Sequence, residues 1–304
     1  MKISIVIPVR NEVENLRELR RRLESVTKDI KLSKYDFEVI VNDNNSSDGS
    51  LAILRDWALQ DKKIFLQEFR IDVGFQKSLL LGMRIASGDA LIVLQSDLQD
   101  PPEMILDFID LWEMGNTVVG AVIKKRYEPK IVRASRKLFY WLLNLASDQK
   151  IITNFQDFYL LDKSVYIQLR RLNLNYAFLR VEIASKFGIG AFVTYSRQNR
   201  TAGKSKFGFA NKYTLAMDAL LLYGLRLNRV ISVIFATTSI FFFLSTLILL
   251  ILPEFNIKYS QQGWLSIMSL CLLSFSFLFF MSSIIIEYLS RIYRLTMENP
   301  NIYT

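Results

Sequence analysis

The sequence predicts an α/β fold, in which a mostly parallel β-sheet is flanked by helices, followed by two membrane-spanning helices. In the N-terminal half, short apolar segments rich in β-branched residues alternate with segments of helical periodicity, the pattern of a doubly wound sheet. Polar clusters follow several of these apolar segments, as expected at the carboxyl ends of parallel strands. Near the C-terminus, positions 230–252 and 263–286 contain no charged residue, and each is long enough to cross a bilayer as a helix.

The apolar segments of the N-terminal part predict five strands with helices between them. The first strand precedes a helical pattern that places Leu16, Leu19 and Leu23 on one face, and Asp48 is expected to cap the second helix. The predicted strands are 3–9, 37–41, 64–69, 90–94 and 117–123, and a third helix is predicted at about 76–86. We expect a sheet domain at 1–207, a juxtamembrane amphipathic helix at 208–228 and a membrane domain at 229–304.

The composition excludes several kinds of chemistry. One Cys and no His leave no structural disulfide, no Cys/His zinc site and no His-based catalysis. Catalysis is therefore expected to rest on carboxylates, amides, basic residues and a metal held by oxygen atoms. The net charge of +9 suits nucleic acid, anionic lipid or a phosphorylated substrate, and the two apolar segments favour the last two.

Basic residues around the two predicted spans indicate their orientation. Arg226 and Arg229 precede the first span, Arg291 and Arg294 follow the second, and the connector has one Glu and one Lys. By the positive-inside rule both ends face the cytoplasm, so we expect a multi-pass protein of the inner (plasma) membrane with a cytoplasmic catalytic domain. No signal peptide is expected before the first strand. A buried helical hairpin in a soluble protein is the alternative.

The polar cluster that follows the fourth predicted strand belongs to the segment G-D-A-L-I-V-L-Q-S-D-L-Q-D-P-P-E at 88–103. Pro101 and Pro102 are expected to begin a helix, with Asp100 as its N-cap. One interpretation is that Asp97 and Asp100 only cap this helix. However, the segment resembles the D-x-D-L-Q-D-P-P-E motif of polyprenyl-phosphate glycosyltransferases, the dolichyl-phosphate-mannose-synthase-like branch of glycosyltransferase family 2.

This resemblance implies a GT-A (Rossmann-like) fold and a divalent cation, Mg²⁺ or Mn²⁺, that is held against a nucleotide diphosphate. The implied metal ligands are Gln95, Asp97 and Gln99, with Asp97 as the catalytic carboxylate and Ser96 beside it in the donor site. Gln95 stands where the family has its first Asp. Since an amide oxygen coordinates a hard cation but brings no charge, we expect weaker metal binding.

Further motifs resemble the nucleotide-sugar site of the family. The segment at 8–12 resembles P-x-x-N-E, the segment at 43–49 resembles D-D-G-S-x-D-G, and 72–77 lies where the family has a loop over the nucleotide. In the family, the positions of Glu12 and Asp43 contact ribose and base, for which a carboxylate is a good acceptor. The implied donor site comprises Pro8, Asn11, Glu12, Asp43, Asn44, Gln76, Ser96 and Asp97. Ordinary turn residues are the alternative interpretation.

Two basic stretches, at 124–137 and 197–229, are candidates for binding a lipid phosphate, although such stretches are commonly solvated surface. The segment at 200–207 resembles R-x-A-G-x-S-K-Y, whose basic residues and Ser face the lipid phosphate in the family. The predicted lipid-phosphate ligands are Arg126, Arg133, Arg136, Arg200, Ser205 and Lys206. The segment at 154–161 resembles G-D-F-R-L-L and places Asp157 at the acceptor-side catalytic position, where it is expected to orient the acceptor.

The function that these motifs imply is inverting, metal-dependent transfer of a sugar from a UDP- or GDP-linked donor to a polyprenyl phosphate, for later glycosylation of cell-envelope material. The expected partners are the donor, the lipid acceptor and membrane lipids, with no nucleic acid, and a homo-oligomer is left open. A non-catalytic or weakly active lipid-phosphate binder, a processive polysaccharide synthase and a membrane-anchored nucleic-acid-binding protein are the alternatives. The sequence leaves the sugar, the base and the lipid length open.

Overall fold

The computed structural model describes residues 1–125, 134, 155–172, 179–196, 225–251 and 264–297. The chain divides into two compact units. The first contains a β-sheet with flanking helices, and the second contains two long C-terminal helices.

The first unit is built on a seven-stranded sheet with strand order β3-β2-β1-β4-β6-β5-β7. The strands are β1 (Lys2–Val9), β2 (Asp36–Asp43), β3 (Ile64–Glu68), β4 (Ala90–Val93), β5 (Val118–Lys125), β6 (Phe155–Asp162) and β7 (Ala191–Ser196). Strand β6 is antiparallel to both of its neighbours, whereas the other pairs are parallel. The mostly parallel sheet predicted from the sequence is therefore confirmed.

Helices cover both faces of this sheet. They are α1 (Val13–Thr27), α2 (Ser50–Gln60), α3 (Phe75–Ile85), α4 (Ile105–Glu113), α5 (Lys163–Leu169) and α6 (Leu179–Lys186). Because successive strand residues point to opposite faces, Ile5 and Ile7 pack with Leu16 and Leu19 of α1, whereas Val6 packs on the α3 side. The two apolar layers hold the strand ends rigidly, and this rigidity fixes the side chains that follow them.

Two predicted helix caps differ from the structure. Asp100 is not an N-cap, because a 3₁₀ helix, Pro102–Met104, precedes α4 and extended Pro101 takes the capping position without a side-chain bond. Gly49, at φ 92°, takes the capping position of α2. The carboxylate of Asp48 still accepts a hydrogen bond from the Ser50 N–H at 3.0 Å, so Asp48 satisfies one of the free donors of the first turn.

The second unit contains α7 (Leu225–Ile251) and α8 (Trp264–Met297). Arg229–Leu249 and Ser266–Ser290 are long and apolar enough to cross a membrane, and few of their side chains are buried. The two helices pair through a polar seam in which the Ser239 hydroxyl donates to the Ser276 carbonyl at 2.8 Å. A second such bond, at 3.1 Å, joins Ser232 to Ser283, one heptad away. The largely exposed apolar surface argues against a hairpin buried in a soluble protein.

Candidate active site

The candidate site lies where β1, β2 and β4 end at one edge of the sheet. Val9 pairs with Asp43 in the β1–β2 ladder, and the backbone N–H of Asn44 donates to the Val9 carbonyl at 2.8 Å. The Ser96 hydroxyl donates to the Pro8 carbonyl at 3.0 Å, which fastens the chain after β4 to the end of β1. Three sequence-predicted segments, which contain Pro8, Asp43 and Ser96, are thus brought together. Ligands of open α/β sheets bind at this edge.

Asp43 is the most deeply buried acid among the predicted donor-site residues, with 1% of its surface exposed. Its Oδ2 accepts the backbone N–H of Ser46 at 3.1 Å. Within the described residues its Oδ1 has no hydrogen-bond partner. A buried carboxylate oxygen without a donor is unfavourable. The arrangement therefore suits a ligand that brings an N–H or O–H donor, such as a base imide or a ribose hydroxyl.

The loop between β1 and α1 is bound to the loop that follows β2. Asn11 has a left-handed backbone, at φ 52°, and its N–H donates to the Ser46 hydroxyl at 2.9 Å. The N–H of Glu12 donates to the Ser50 hydroxyl at 2.8 Å, and the Glu12 carboxylate accepts from the Asn15 amide at 2.6 Å. These bonds fix Asn11 and Glu12 next to the Asp43 loop.

Asn44 positions the loop that precedes α3. Its Nδ2 donates to Asp72 Oδ1 at 2.7 Å, and its Oδ1 accepts the N–H of Val73 at 2.8 Å. Asp72 also forms an ion pair with Arg10 and accepts the Gly74 N–H at 2.9 Å. The amide that replaces the second family Asp therefore fastens a loop beside the site. This role of Arg10 and Asp72 was not predicted from the sequence.

The turn at 95–100 carries the predicted metal ligands. Asp97 is 7% exposed, and its Oδ1 accepts the N–H of Gln99 at 3.2 Å, while Gln95 and Gln99 are partly buried. Leu98 has a left-handed backbone, at φ 55°, and its side chain is buried in the core. Among the described residues no group of three or more His, Cys, Asp or Glu side chains is arranged to hold a metal.

One carboxylate and two amides nevertheless form an all-oxygen donor set of the kind that a hard cation takes. Mg²⁺ is commonly bound by one or two carboxylates together with substrate phosphates. Asp97, Gln95 and Gln99 therefore fit a cation that is shared with a diphosphate.

Asp157 lies on β6 and is paired with a basic residue. The β4–β6 register sets Tyr159 opposite Val93, and continuing it by two residues brings Asp157 level with Gln95. Asp157 is 8% exposed, and its Oδ1 lies 3.2 Å from Nε of Arg180, the second residue of α6. Arg180 was missed in the sequence, because a single Arg in a short helix gives no local signal. The pairing balances the charge of the predicted acceptor-side acid.

Two further residues are Gln76, which joins two helices, and Tyr159, which lies on β6 two positions after Asp157. The Gln76 side chain accepts the Leu179 N–H at 3.1 Å and so joins the start of α3 to the start of α6. Tyr159 is fully buried, and burial first, then the charge of Asp157, raise the pKa of its phenol above the ordinary value. The Tyr159 hydroxyl therefore stays protonated at neutral pH.

The predicted lipid-phosphate ligands lie outside the described residues. They are Arg126, Arg133, Arg136, Arg200, Ser205 and Lys206. Most of the predicted juxtamembrane helix at 208–228 lies outside them as well. These assignments remain predictions.

Comparison with known proteins gives consistent results. Residues 4–172 match the family model described as Glycosyl transferase family 2. The chain is 30% identical to the uncharacterized glycosyltransferase YkcC of Bacillus subtilis (strain 168), over 99% of this chain and 92% of that protein. It is 31% identical to the bactoprenol glucosyl transferase of Shigella phage SfV, over 72% of this chain and 71% of that protein.

Among solved structures, mannosyl-3-phosphoglycerate synthase from Rubrobacter xylanophilus shares the fold. The TM-score is 0.51 at 13% identity, with 73% of this chain and 72% of that chain covered. The family match, the relatives and the sheet topology agree with the motif resemblance. The chain therefore belongs to glycosyl transferase family 2, and it is a glycosyltransferase with a GT-A fold.

Proposed function

We propose that this glycosyltransferase moves a sugar from a UDP- or GDP-linked donor to a polyprenyl phosphate at the cytoplasmic face of the membrane. The observation that carries the proposal is that Asp43, whose Oδ1 has no hydrogen-bond partner within the described residues, and Asp97 both lie at the carboxyl edge of the sheet. The first suits the nucleoside of the donor and the second suits its metal-bound diphosphate. The product would serve later glycosylation of cell-envelope material.

The donor binds along the ends of β1, β2 and β4. Asp43 Oδ1 accepts a hydrogen bond from the nucleoside, and Asn11 and Glu12 lie in the adjoining loop. Asn44 acts by fixing the loop at 72–74, and Gln76 by joining α3 to α6. Rigid side chains at fixed strand ends favour binding, because little freedom is lost when the donor arrives.

Gln95, Asp97 and Gln99 would hold Mg²⁺ or Mn²⁺ at the diphosphate. When bound, this ion supplies Lewis-acid stabilisation of the charge that develops on the departing diphosphate. The Asp97 carboxylate holds its place through the bond from the Gln99 N–H, so the charge is presented without rearrangement.

The acceptor oxygen is the nucleophile. An oxygen of the lipid phosphate forms a bond to the anomeric carbon, and the bond from that carbon to the diphosphate breaks with its electron pair, which inverts the configuration. A phosphate monoester is largely ionised near neutral pH, since its second pKa is about 6, so no strong general base is required. Asp157, which is paired with Arg180, orients the acceptor instead.

Basic residues beyond the described strands would hold the lipid phosphate. They are Arg126, Arg133, Arg136, Arg200, Ser205 and Lys206. Three observations support a lipid acceptor. A relative is named as a bactoprenol glucosyl transferase, and two exposed apolar helices are long enough to span a membrane. The Arg residues before the first helix and after the second favour a cytoplasmic position for these two ends.

The proposal is tested by the release of nucleoside diphosphate from a panel of UDP- and GDP-linked sugars by the detergent-purified full-length chain. We expect one donor to be consumed, and only when undecaprenyl phosphate is present. Lipid binding without consumption of any donor would support a non-catalytic binder and contradict the proposal. A polymeric product would support a processive synthase instead.

A further inference from the structure

Asp100 is the fully buried carboxylate at the end of the 95–100 turn. Its Oδ1 accepts a hydrogen bond from the hydroxyl of Tyr195, which lies 95 positions further along the chain. Tyr195 is the penultimate residue of β7, the strand at the opposite edge of the sheet from β3. The bond therefore joins the turn after β4 to a strand that is distant both in sequence and in the sheet.

The turn needs such a support, because its backbone is strained. A leucine in the left-handed region, as at Leu98, is kept there only by its surroundings. The Leu98 side chain and the Tyr195 ring both belong to the buried core cluster on the α1 side of the sheet, and the Tyr195 hydroxyl also bonds to the end of the turn. A buried carboxylate also requires a donor, and the phenol of Tyr195 supplies one without adding a charge next to the metal ligands.

We propose that Tyr195 is a positioning residue for diphosphate binding. Through Asp100 it holds the turn in the form that presents Asp97 and Gln99 to a metal-bound nucleoside diphosphate. This role rests on the proposed function of the site. Strand β7 ends at Ser196, directly before the stretch that is predicted to hold the lipid phosphate, so Tyr195 also joins the donor turn to the start of the acceptor segment.

The test uses Tyr195→Phe, which removes the hydroxyl and keeps the ring. Binding of UDP and of GDP to the purified full-length chain is measured by calorimetry in saturating Mn²⁺. Loss of a hydrogen bond to a charged group that fixes the turn is expected to raise the Kd of the nucleotide that binds by about tenfold. In a double-mutant cycle with Asp100→Ala, which removes the acceptor, the double variant should bind no more weakly than the weaker single variant, since either substitution alone removes the same hydrogen bond.

Tyr166→Phe is the matched control. The Tyr166 hydroxyl is also buried, and it donates to the Gly88 carbonyl at 2.6 Å, at the amino end of β4. Its removal should lower the midpoint of thermal unfolding and leave nucleotide binding unchanged. A merely structural role of Tyr195 predicts the same behaviour for both tyrosines.

Three results would overturn the positioning role. The first is a nucleotide Kd for Tyr195→Phe within about twofold of the wild-type Kd, because loss of a hydrogen bond to a charged group should raise the Kd about tenfold. The second is an equal loss of binding in Tyr195→Phe and Tyr166→Phe. In both cases the proposed function stands. If the wild-type chain binds neither UDP nor GDP, the proposed function fails, and the role of Tyr195 fails with it.

Discussion

Replacing Asp43 by Asn tests whether Oδ1 of Asp43 binds the nucleoside of the sugar donor. In the structure Oδ2 is engaged by the Ser46 N–H, whereas Oδ1 has no hydrogen-bond partner within the described residues. The single oxygen of the Asn amide is expected to stay on the Ser46 N–H, because that donor needs an acceptor. The amide NH₂ then takes the place of Oδ1 and faces the N–H or O–H group of the nucleoside. Two hydrogen-bond donors then face each other, and the hydrogen bond is lost.

The expected magnitude follows from the bond that is lost. A hydrogen bond to a charged group contributes about 1.5–3 kcal/mol, and a tenfold change in affinity corresponds to about 1.4 kcal/mol. The Kd of the nucleoside diphosphate should therefore rise by about 10- to 100-fold. Isothermal titration of the purified chain with UDP and with GDP measures it.

Asp48→Asn is the control in the same loop. Both Asp48 oxygens are engaged within the protein, since Oδ1 accepts from the N–H and hydroxyl of Ser50, and Oδ2 from the N–H of Val13. This variant should lower stability and leave nucleotide affinity unchanged. Binding by Asp43→Asn within about twofold of wild type would refute the assignment of Oδ1 to the nucleoside, given the expected loss.

Three further predictions concern the metal, acid stability and the lipid. Gln95→Asp adds a charged ligand and should lower the Mn²⁺ concentration that gives half-maximal transfer. If this concentration is unchanged, Gln95 is not a metal ligand. Burial alone would raise the pKa of Glu38. Its hydrogen bonds, of which the one from Lys2 has the largest effect, outweigh burial, so the pKa of Glu38 lies below its ordinary value. The stabilising contribution of the Glu38 carboxylate is therefore present above its pKa in the unfolded chain, and it is lost as the pH falls through its pKa in the folded protein. The difference in thermal unfolding midpoint between wild type and Glu38→Gln should shrink from pH 7 to about pH 3. An equal difference at both pH values would contradict this prediction. Arg200→Ala should raise the KM for the lipid acceptor about tenfold and leave the KM for the sugar donor unchanged. Lys212→Ala should change the acceptor KM only slightly, and high salt should remove this change. Equally small changes in both variants would show that the lipid phosphate binds elsewhere.

Much of the fold follows from local sequence patterns. The segment predicted at 3–9 is β1, and the predicted spans lie within or close to α7 and α8, because continuous apolar segments are recognisable without knowledge of their neighbours. Strand β6 was not predicted. Its buried residues include Gln156 and Asp157, which interrupt the apolar pattern, and the charge of Asp157 is balanced by Arg180 from a separate helix.

The candidate site shows the same division. Asp43 and Asp97 follow predicted strands, so their meeting at one edge could be foreseen from the alternation of strands and helices. Asp100 precedes two prolines and so has the local signature of a helix cap, but a hydroxyl 95 positions away binds it instead. Arg180 likewise reaches Asp157 from a separate helix. Contacts between distant segments of this kind have no signature in the local sequence.

The central claim is that the carboxyl edge of the sheet transfers one sugar to a polyprenyl phosphate. The most direct measurement is mass spectrometry of the lipid recovered after incubation of the purified chain with undecaprenyl phosphate, Mn²⁺ and the donor nucleotide-sugar. We predict a lipid that gains a single sugar with wild type, and a rate about 10²-fold lower with Asp97→Asn, since one electrostatic group at the reacting diphosphate is lost. Asp107→Asn, on the exposed side of α4, should transfer at the wild-type rate. An unmodified lipid with wild type, or transfer by Asp97→Asn within a few-fold of wild type, would contradict the account.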